Sequence, residues 1–555
     1  MTELTLTFDG HPVAVREGQS IAAALTSARL KTFRKTAKNN SRGIFCGMGV
    51  CQDCLVTIDG VPNQRACMTK ACPGQVIETQ RAFPHLDLGA TLPEPKPARI
   101  IEPEVLVIGG GAGGLSAAIA ARRAGADVVL LDERRVSGGQ YYKQSSLNPP
   151  MDAQQKEGAD LVDRAHASGA DIIEGVEIWG AFDGPLFLAE EDGAALVARP
   201  KTAIVATGAY ERPIMVPGWT LPGVMTTGAA QTLWRSYETL PGRRVAFCGS
   251  GPLNLQVALE LAQGGAEVPF VAEAASSPFL RPLVAAGMAL ADPALTAKGL
   301  AMILGLRRKG VPVRNGTTLQ SIEALDRGLR ATFADTRGNL QRIEADVLCM
   351  NAGFDPQNEI LRLLGASMSY DVSFGHLRCD RSESMETSVP GVFAVGDCAG
   401  MGGAPAARVE GRIAGRSAAA LTGHGDAYDL FGAHRELRRH RRFQRALWKL
   451  HDVSPRPPSG CAQKTTLCRC EEISLAEVLA GHEKNPGHVG TLKRATRVGM
   501  GRCQGRYCGP VATRLMADRS GTPIEDRSFF APRVPLKPVS IASILAAQEA
   551  LDGDL

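Results

Sequence analysis

Residues 104–133, EVLVIGGGAGGLSAAIAARRAGADVVLLDE, constrain this chain more than any other stretch. An apolar strand, a glycine turn, an alanine-rich helix and a second apolar strand follow one another. That is a βαβ unit, and it commits the chain to a parallel α/β sheet. Gly109, Gly111 and Gly114 form G-x-G-x-x-G in this context. The first glycine makes the turn, the second lets the backbone approach a pyrophosphate, and the third lets helix pack on strand. Asp132 ends the second strand, 18 residues after Gly114, placed to bind ribose hydroxyls.

Two later segments have matching character. TAIVATGAYERP (202–213) is a strand ending at Thr207-Gly208, and VFAVGDCAG (392–400) is a strand ending at Gly396-Asp397. Both resemble the flavin-binding turns of flavoproteins with two dinucleotide domains, a resemblance that makes FAD the expected ligand and places Asp397 at its ribityl chain. GGAPAARVEGRIAG follows and opens a helix whose N-terminus favours negative charge. In SGGQYYKQ (137–144), Gly138, Gly139 and Gln140 are expected to line the flavin.

The pattern repeats in RRVAFCGSGPLNLQVALELAQGGAEVPFVA (243–272), with Gly249 and Gly251. Here Asn254 takes the third glycine position, Glu273 lies just past the second strand, and Gln256 stands where related reductases carry a glutamate. NAD(P)H, another nucleotide or an empty site all remain open for this broken fingerprint. Cys248, Cys349, Cys379 and Cys398 stand singly, so a redox disulfide is not expected in the core.

Two cysteine quartets flank the core. Cys46, Cys51, Cys54 and Cys67 have C-x4-C-x2-C-x12-C spacing, and the first three match the plant-type [2Fe–2S] pattern. Gly43, Gly47 and Gly49 let a short loop wrap a cluster. Cys468, Cys470, Cys503 and Cys508 have C-x-C-x32-C-x4-C spacing. The expectation there is a second [2Fe–2S] centre, with zinc as the rival because four thiolates satisfy it equally. Thr466 to Glu471 read as the start of a helix, and GMGRCQGRYCG as the opening of another. Cys72 and Cys461 fall outside both spacings and read as non-ligands. The order along the chain suggests one cluster on either side of the flavin.

Bulk properties narrow the class. The chain has 555 residues, 14 cysteines, 44% hydrophobic and 21% charged residues, and a formal net charge of +5. Its length suggests several domains, and its small net charge together with the lack of a motif argues against nucleic acid. No apolar run is long enough for a membrane helix, and MTELTLTFDG is unlike a secretory signal. The expected location is cytoplasmic, or peripheral at the inner membrane through a partner. The basic stretch HRELRRHRRFQR (434–445) reads as a solvated helix face, with docking to an acidic partner as the alternative.

GIFCGMGVCQDCLVTIDG and RACM resemble the ferredoxin-like subunit of hydrogen cyanide synthases and opine oxidases. The C-terminal quartet resembles a bacterioferritin-associated-ferredoxin-type domain, with x4 in place of its usual x2. With VPGWTLPGVMTTGAAQTL (216–233) and RVPLKPVSIASILA, the whole chain resembles the α subunit of FAD-dependent amine- and amino-acid-oxidising complexes, sarcosine oxidase among them. The resemblance implies an α/β fold of nested Rossmann-like domains, an N-terminal β-grasp [2Fe–2S] domain and a small helical C-terminal domain. The expected division is a ferredoxin-like domain at 1–87, a Pro-rich linker at 88–103, a FAD domain at 104–240 and 353–455, an inserted second dinucleotide-binding domain at 241–352, a cluster domain at 456–520 and a tail at 521–555. The resemblance also implies a respiratory electron acceptor and a substrate-oxidising FAD-dependent β subunit, and the sequence itself shows no convincing acid–base constellation for amino-acid oxidation, which fits such a partner. An FMN at a subunit interface is left open.

Overall fold

The computed structural model describes residues 4–84, 96–146, 149–425, 430–451, 463–484 and 486–552. Cys461 and residues 88–95 of the 88–103 linker lie outside the described residues.

The N-terminal module begins with a hairpin of strands Thr5–Phe8 and His11–Ala14, closed at Asp9-Gly10 where both residues have positive φ. These join a five-stranded sheet in which Thr5–Phe8 runs parallel to Val76–Thr79. Helix Ile21–Ser27 buries its apolar residues beneath the sheet, and the Ser20 hydroxyl accepts the Ala23 amide at its start. One helix crossing a mixed sheet is the β-grasp arrangement.

The first dinucleotide domain is a parallel sheet ordered Asp171–Glu174, Val128–Asp132, Val105–Ile108, Thr202–Val205, Val392–Ala394. Helices Ala112–Ala124 and Gly403–Leu421 cover one face, and the antiparallel sheet of Val176–Phe182, Leu186–Glu191 and Ala194–Ala198 packs on the other, so the central strands are apolar on both faces. Helices Ala112–Ala124 and Gly403–Leu421 cross almost in backbone contact. A Cβ at Gly411 would stand 2.1 Å from the Gly113 carbonyl oxygen, and one at Gly415 2.2 Å from that of Ala117.

A second parallel sheet is ordered Val224–Thr226, Val347–Asn351, Val245–Gly249, Val271–Glu273, Val313–Asn315. Its edge strand therefore lies ahead of residue 241, where the sequence reading begins the insertion. The Pro-Gly turn at 241–242 follows helix Thr227–Tyr237 and does not mark a boundary between sheets. Likewise Arg99–Ile101, inside the stretch read as linker, pairs in parallel with Ala194–Ala198.

The C-terminal module differs locally from the sequence reading. Thr466–Cys468 is a strand, not a helix start, and it pairs with Ile473–Ser474. The helix begins at Leu475 because Ser474 and Glu477 form a reciprocal cap, each side chain bonding the other residue's backbone amide. The tail is packed. Helix Ile541–Asp552 seats Ala546 and Ala547 against Trp179, Leu188 and Val197 of the antiparallel sheet.

The two quartets do not flank the core. Cys46, Cys51, Cys468, Cys503 and Cys508 share one buried cluster with Phe45, Trp219 and Tyr507. The chain's ends return to the same side of the flavoprotein core, so order along the chain misleads about placement.

The helix crossing sets a stability test. Gly411→Ala should cost about 1–3 kcal/mol through overpacking. Gly432→Ala, at an open helical position, should leave Tm unchanged or raise it. Thermal melts of the two variants distinguish the signs.

Candidate functional site

A cavity of about 430 Å³ opens at the carboxyl ends of the first parallel sheet. Gly109, Gly111, Asp132, Gly138, Gly139, Gln140, Thr207, Gly208, Gly396 and Asp397 all line it. Gly109 has φ +108, and a Cβ there would stand 2.5 Å from the Ala206 carbonyl oxygen. Gly114 is not in the wall. A Cβ there would strike the Gly109 carbonyl at 1.8 Å, so this glycine serves the close seating of helix on strand.

The polar groups of the wall are poised for a ligand. Asp132 is buried, its Oδ2 has no hydrogen-bond partner, and burial pushes its carboxyl up to about 6. An orphaned carboxylate oxygen facing a glycine turn suits a sugar hydroxyl. Asp397 Oδ1 accepts the Gly402 and Gly403 amides at 2.9 and 2.8 Å, fixing the start of helix Gly403–Leu421 at the cavity edge.

The sequence reading missed a buried acid–base pair in the same wall. Lys143 and Glu211 both line the cavity. Lys143 Nζ donates to Gln231 Oε1 at 2.9 Å. Burial, aided by Arg134, brings its ammonium down to about 7 against the pull of Glu211. Glu211 accepts the Gly228 amide and the Asn351 side chain, both at 2.7 Å, and burial raises its carboxyl. Neither residue belongs to a spaced motif. The one available signal was a lysine following Gly138-Gly139.

The second glycine loop is built differently. Gly249 and Gly251 are outside the cavity wall, although Pro252, Leu253 and Gln256 are in it. The Glu273 carboxylate accepts the Gly251 amide at 3.1 Å and the Ser250 hydroxyl at 2.5 Å, and its Oε2 lies 3.2 Å from His451 Nδ1. Trp448 stands over Gly251, 3.7 Å from where a Cβ would be. The C-terminal turn of helix Phe431–His451 thus lies across the loop. Asn254 bonds the Asn351 carbonyl at 3.1 Å and accepts the Thr227 hydroxyl at 2.6 Å.

Among the described residues no three His, Cys, Asp or Glu side chains converge as a mononuclear metal site. The eight thiols instead meet in pairs: Cys46 with Cys51, Cys54 with Cys67, Cys468 with Cys508, and Cys470 with Cys503. Two thiols for each of two irons is the donor arrangement of a [2Fe–2S] centre. Burial works against ionising Cys46, but the Cys51 thiol and the amides of Met48, Cys51 and Val50 outweigh it and bring Cys46 down to about 7. The Cys51 amide reaches Cys46 Sγ at 3.4 Å. Cys468 is likewise brought to about 7, first by the Cys508 thiol. Cys72 is exposed and apart. Met48, from the loop between Cys46 and Cys51, and Arg506, from the loop between Cys503 and Cys508, both line the large cavity.

Residues 103–411 match the pyridine nucleotide-disulphide oxidoreductase family. The chain belongs to that family. Residues 1–82 match a 2Fe-2S iron–sulfur cluster binding domain, and residues 464–549 the sarcosine oxidase A3 domain. The chain is 32% identical to the A-subunit of opine oxidase from Rhizobium meliloti, over 70% of this chain and 85% of that one. Its N-terminal module is 40% identical to the HcnA component of hydrogen cyanide synthase from Pseudomonas aeruginosa, over 14% of this chain and 75% of that one. The solved L-proline dehydrogenase of P. horikoshii shares its fold, with a TM-score of 0.74, 20% identity, and coverage of 98% and 97% of the two chains. The protein is therefore a flavin oxidoreductase with a fused [2Fe–2S] domain, homologous to the opine oxidases, and the large cavity is suited to FAD.

Two measurements test the cavity. Asp132→Ala should weaken FAD retention about 10- to 100-fold, the range of a charged hydrogen bond, read by flavin fluorescence after gel filtration. Lys143 is charged below about pH 7 and neutral above it, and its charge favours the more negative reduced flavin. As pH rises through 7 the wild-type flavin potential should fall by an increment that Lys143→Met lacks, read by redox titration on either side of that pH.

Proposed function

We propose that this chain is the electron-transferring subunit of an amino-acid or amine dehydrogenase complex. It takes electrons from a substrate-oxidising, FAD-dependent partner acting on CH–NH or CH–NH2 donors and delivers them to a respiratory acceptor. FAD exchanges electrons in pairs and releases them singly, and [2Fe–2S] centres carry one at a time. The observation that carries this reading is the shared wall: one residue from each cysteine loop, Met48 and Arg506, lines the flavin cavity.

Within this reading, the amides around Gly109 and Gly111 receive the pyrophosphate and Asp132 the ribose. Asp397 orients the helix start beside the flavin. Lys143 holds a positive charge, or gives up a proton, at the cavity wall. Cys46, Cys51, Cys54 and Cys67 ligate the N-terminal centre. Cys468, Cys470, Cys503 and Cys508 ligate a second [2Fe–2S] centre, a reading that their pairing favours over zinc.

The closed second loop supports entry of electrons from a partner and not from NAD(P)H. Glu273 and the Gly251 amide, which would bind a nicotinamide nucleotide, are engaged with each other and with His451. A candidate docking face for the partner flavoprotein is helix Pro282–Ala291, apolar along its length with no buried residue. Leu283 and Leu290 are 87% and 85% exposed. The following helix contributes Leu295, Lys298 and Met302 to the cavity wall, so a partner seated there adjoins the flavin. Among the described residues no helix is long and apolar enough to cross a membrane, and the acceptor would be reached from the protein's surface.

Anaerobic mixing tests the reading. NADH or NADPH should leave the flavin oxidised, whereas amino-acid substrate with the partner flavoprotein should bleach it. Rapid bleaching by NAD(P)H, or substrate oxidation by this chain alone, would overturn the assignment.

A further inference from the structure

At the joint between the two cysteine modules, residues next to ligand thiols meet one another. Asp53 stands between Cys51 and Cys54, and its side chain has no exposed surface. Its Oδ1 receives Arg34 at 2.5 Å, and its Oδ2 receives Arg469. Arg469 stands between Cys468 and Cys470, with its side chain 3% exposed. Its guanidinium lies 4.0 Å from the centre of the Phe45 ring and 5.2 Å from that of Trp219, and it donates to the Trp219 carbonyl at 3.0 Å. Phe45 immediately precedes Cys46. Its ring meets Tyr507 edge-on at 5.5 Å, and Tyr507 immediately precedes Cys508. One guanidinium therefore touches a carboxylate between two N-terminal thiols and a ring beside a third. It is itself flanked by two C-terminal thiols.

Electrostatics gives this joint a role. A four-thiolate iron–sulfur centre is negative and gains a further negative charge on reduction. Two such centres in a dry medium oppose each other's reduction, and a buried cation between them offsets the charge of both. A guanidinium is suited to this place because it stays charged when buried and stacks on aromatic faces.

We infer that Arg469, held by Asp53, is a positioning residue that couples the two iron–sulfur centres, and that electrons pass directly between them across the Phe45–Tyr507 contact. The step moves one electron from the reduced centre to the oxidised one, with no bond made or broken and no proton transferred. The inference rests on the reading of the C-terminal quartet as a [2Fe–2S] centre and goes beyond it. It makes the two modules a single redox unit and not two separate outlets from the flavin.

The test uses the full chain with its cofactors. Iron and sulfide analysis counts the centres. Electron paramagnetic resonance of the fully reduced protein reads their interaction, and potentiometric titration reads both midpoint potentials. In the wild type the two signals should be broadened or split by each other. In Arg469→Met both potentials should fall together, and Arg469→Lys should restore them. In Asp53→Asn, which keeps the side-chain shape, both should rise, so the sign test survives if Arg469→Met fails to fold. Additive, non-interacting signals, or a variant that moves one potential alone, would refute the coupling while two centres are present. Iron for one centre only would refute the C-terminal reading and the coupling with it, and the iron count tells the two failures apart.

Discussion

The Asp53 carboxylate is wholly buried, and the charge that meets it on one side comes from Arg469, 416 positions further along the chain. Burying a charge is costly, and removing one partner of such a pair typically costs about 3–5 kcal/mol. Asp53 is held ionised because Arg469, Arg34 and Arg42 together outweigh its burial. Around it, Glu472 accepts Arg42 at 2.9 Å and Asn40 at 2.8 Å, and Lys38 reaches the Glu472 carbonyl. This polar joint closes the N-terminal domain onto the C-terminal module. The same closure brings Gly47 against helix Thr227–Tyr237, where a Cβ would stand 2.8 Å from Ala229 Cα. With both modules so placed, Met48 and Arg506 become part of the flavin cavity wall.

The two dinucleotide units show how one motif serves two ends. In the first, glycines leave a ligand-sized space, and Asp132 keeps an acceptor unpaired at its edge. In the second, a similar loop and acidic residue satisfy each other, with Trp448 and His451 laid across them. Asn254 completes the change. A side chain at the third glycine position bonds the neighbouring strand at Asn351 and the helix start at Thr227. With the Ser250 and Gly251 amides already bonded, the loop offers a phosphate fewer donors, and the second unit supplies Pro252, Leu253 and Gln256 to the wall of the first cavity.

Much of this was legible along the chain wherever the governing forces act over a few residues. The turn at Gly109 needs a positive φ, and the seat at Gly114 has no room for a side chain. Both are local steric demands, visible as glycines at fixed offsets. Legibility failed where a local pattern had two solutions. Thr466–Cys468 carries helix-compatible spacing, yet edge pairing with Ile473–Ser474 wins, and the Ser474–Glu477 cap that starts the helix was a readable signal. Arg99–Ile101 became a strand because a sheet edge formed by residues 194–198 lay open beside it. Lys143 and Glu211 gave little warning beyond a lysine after Gly138-Gly139, since their character comes from burial among Arg134, Asn351 and each other.

By itself the sequence determined the class of each part: a parallel α/β flavoprotein core, a thiol quartet with ferredoxin spacing, and a second quartet of open identity. Those follow from backbone sterics and from the reach of short loops between ligands. Only the tertiary structure decided that the two quartets lie together and not on opposite sides of the flavin, and that the second glycine loop is covered. Spacing along a chain carries no information about which distant surfaces meet. That is decided by buried charges that must find partners and by apolar faces that must find cover, and here both conditions are met where Asp53 meets Arg469.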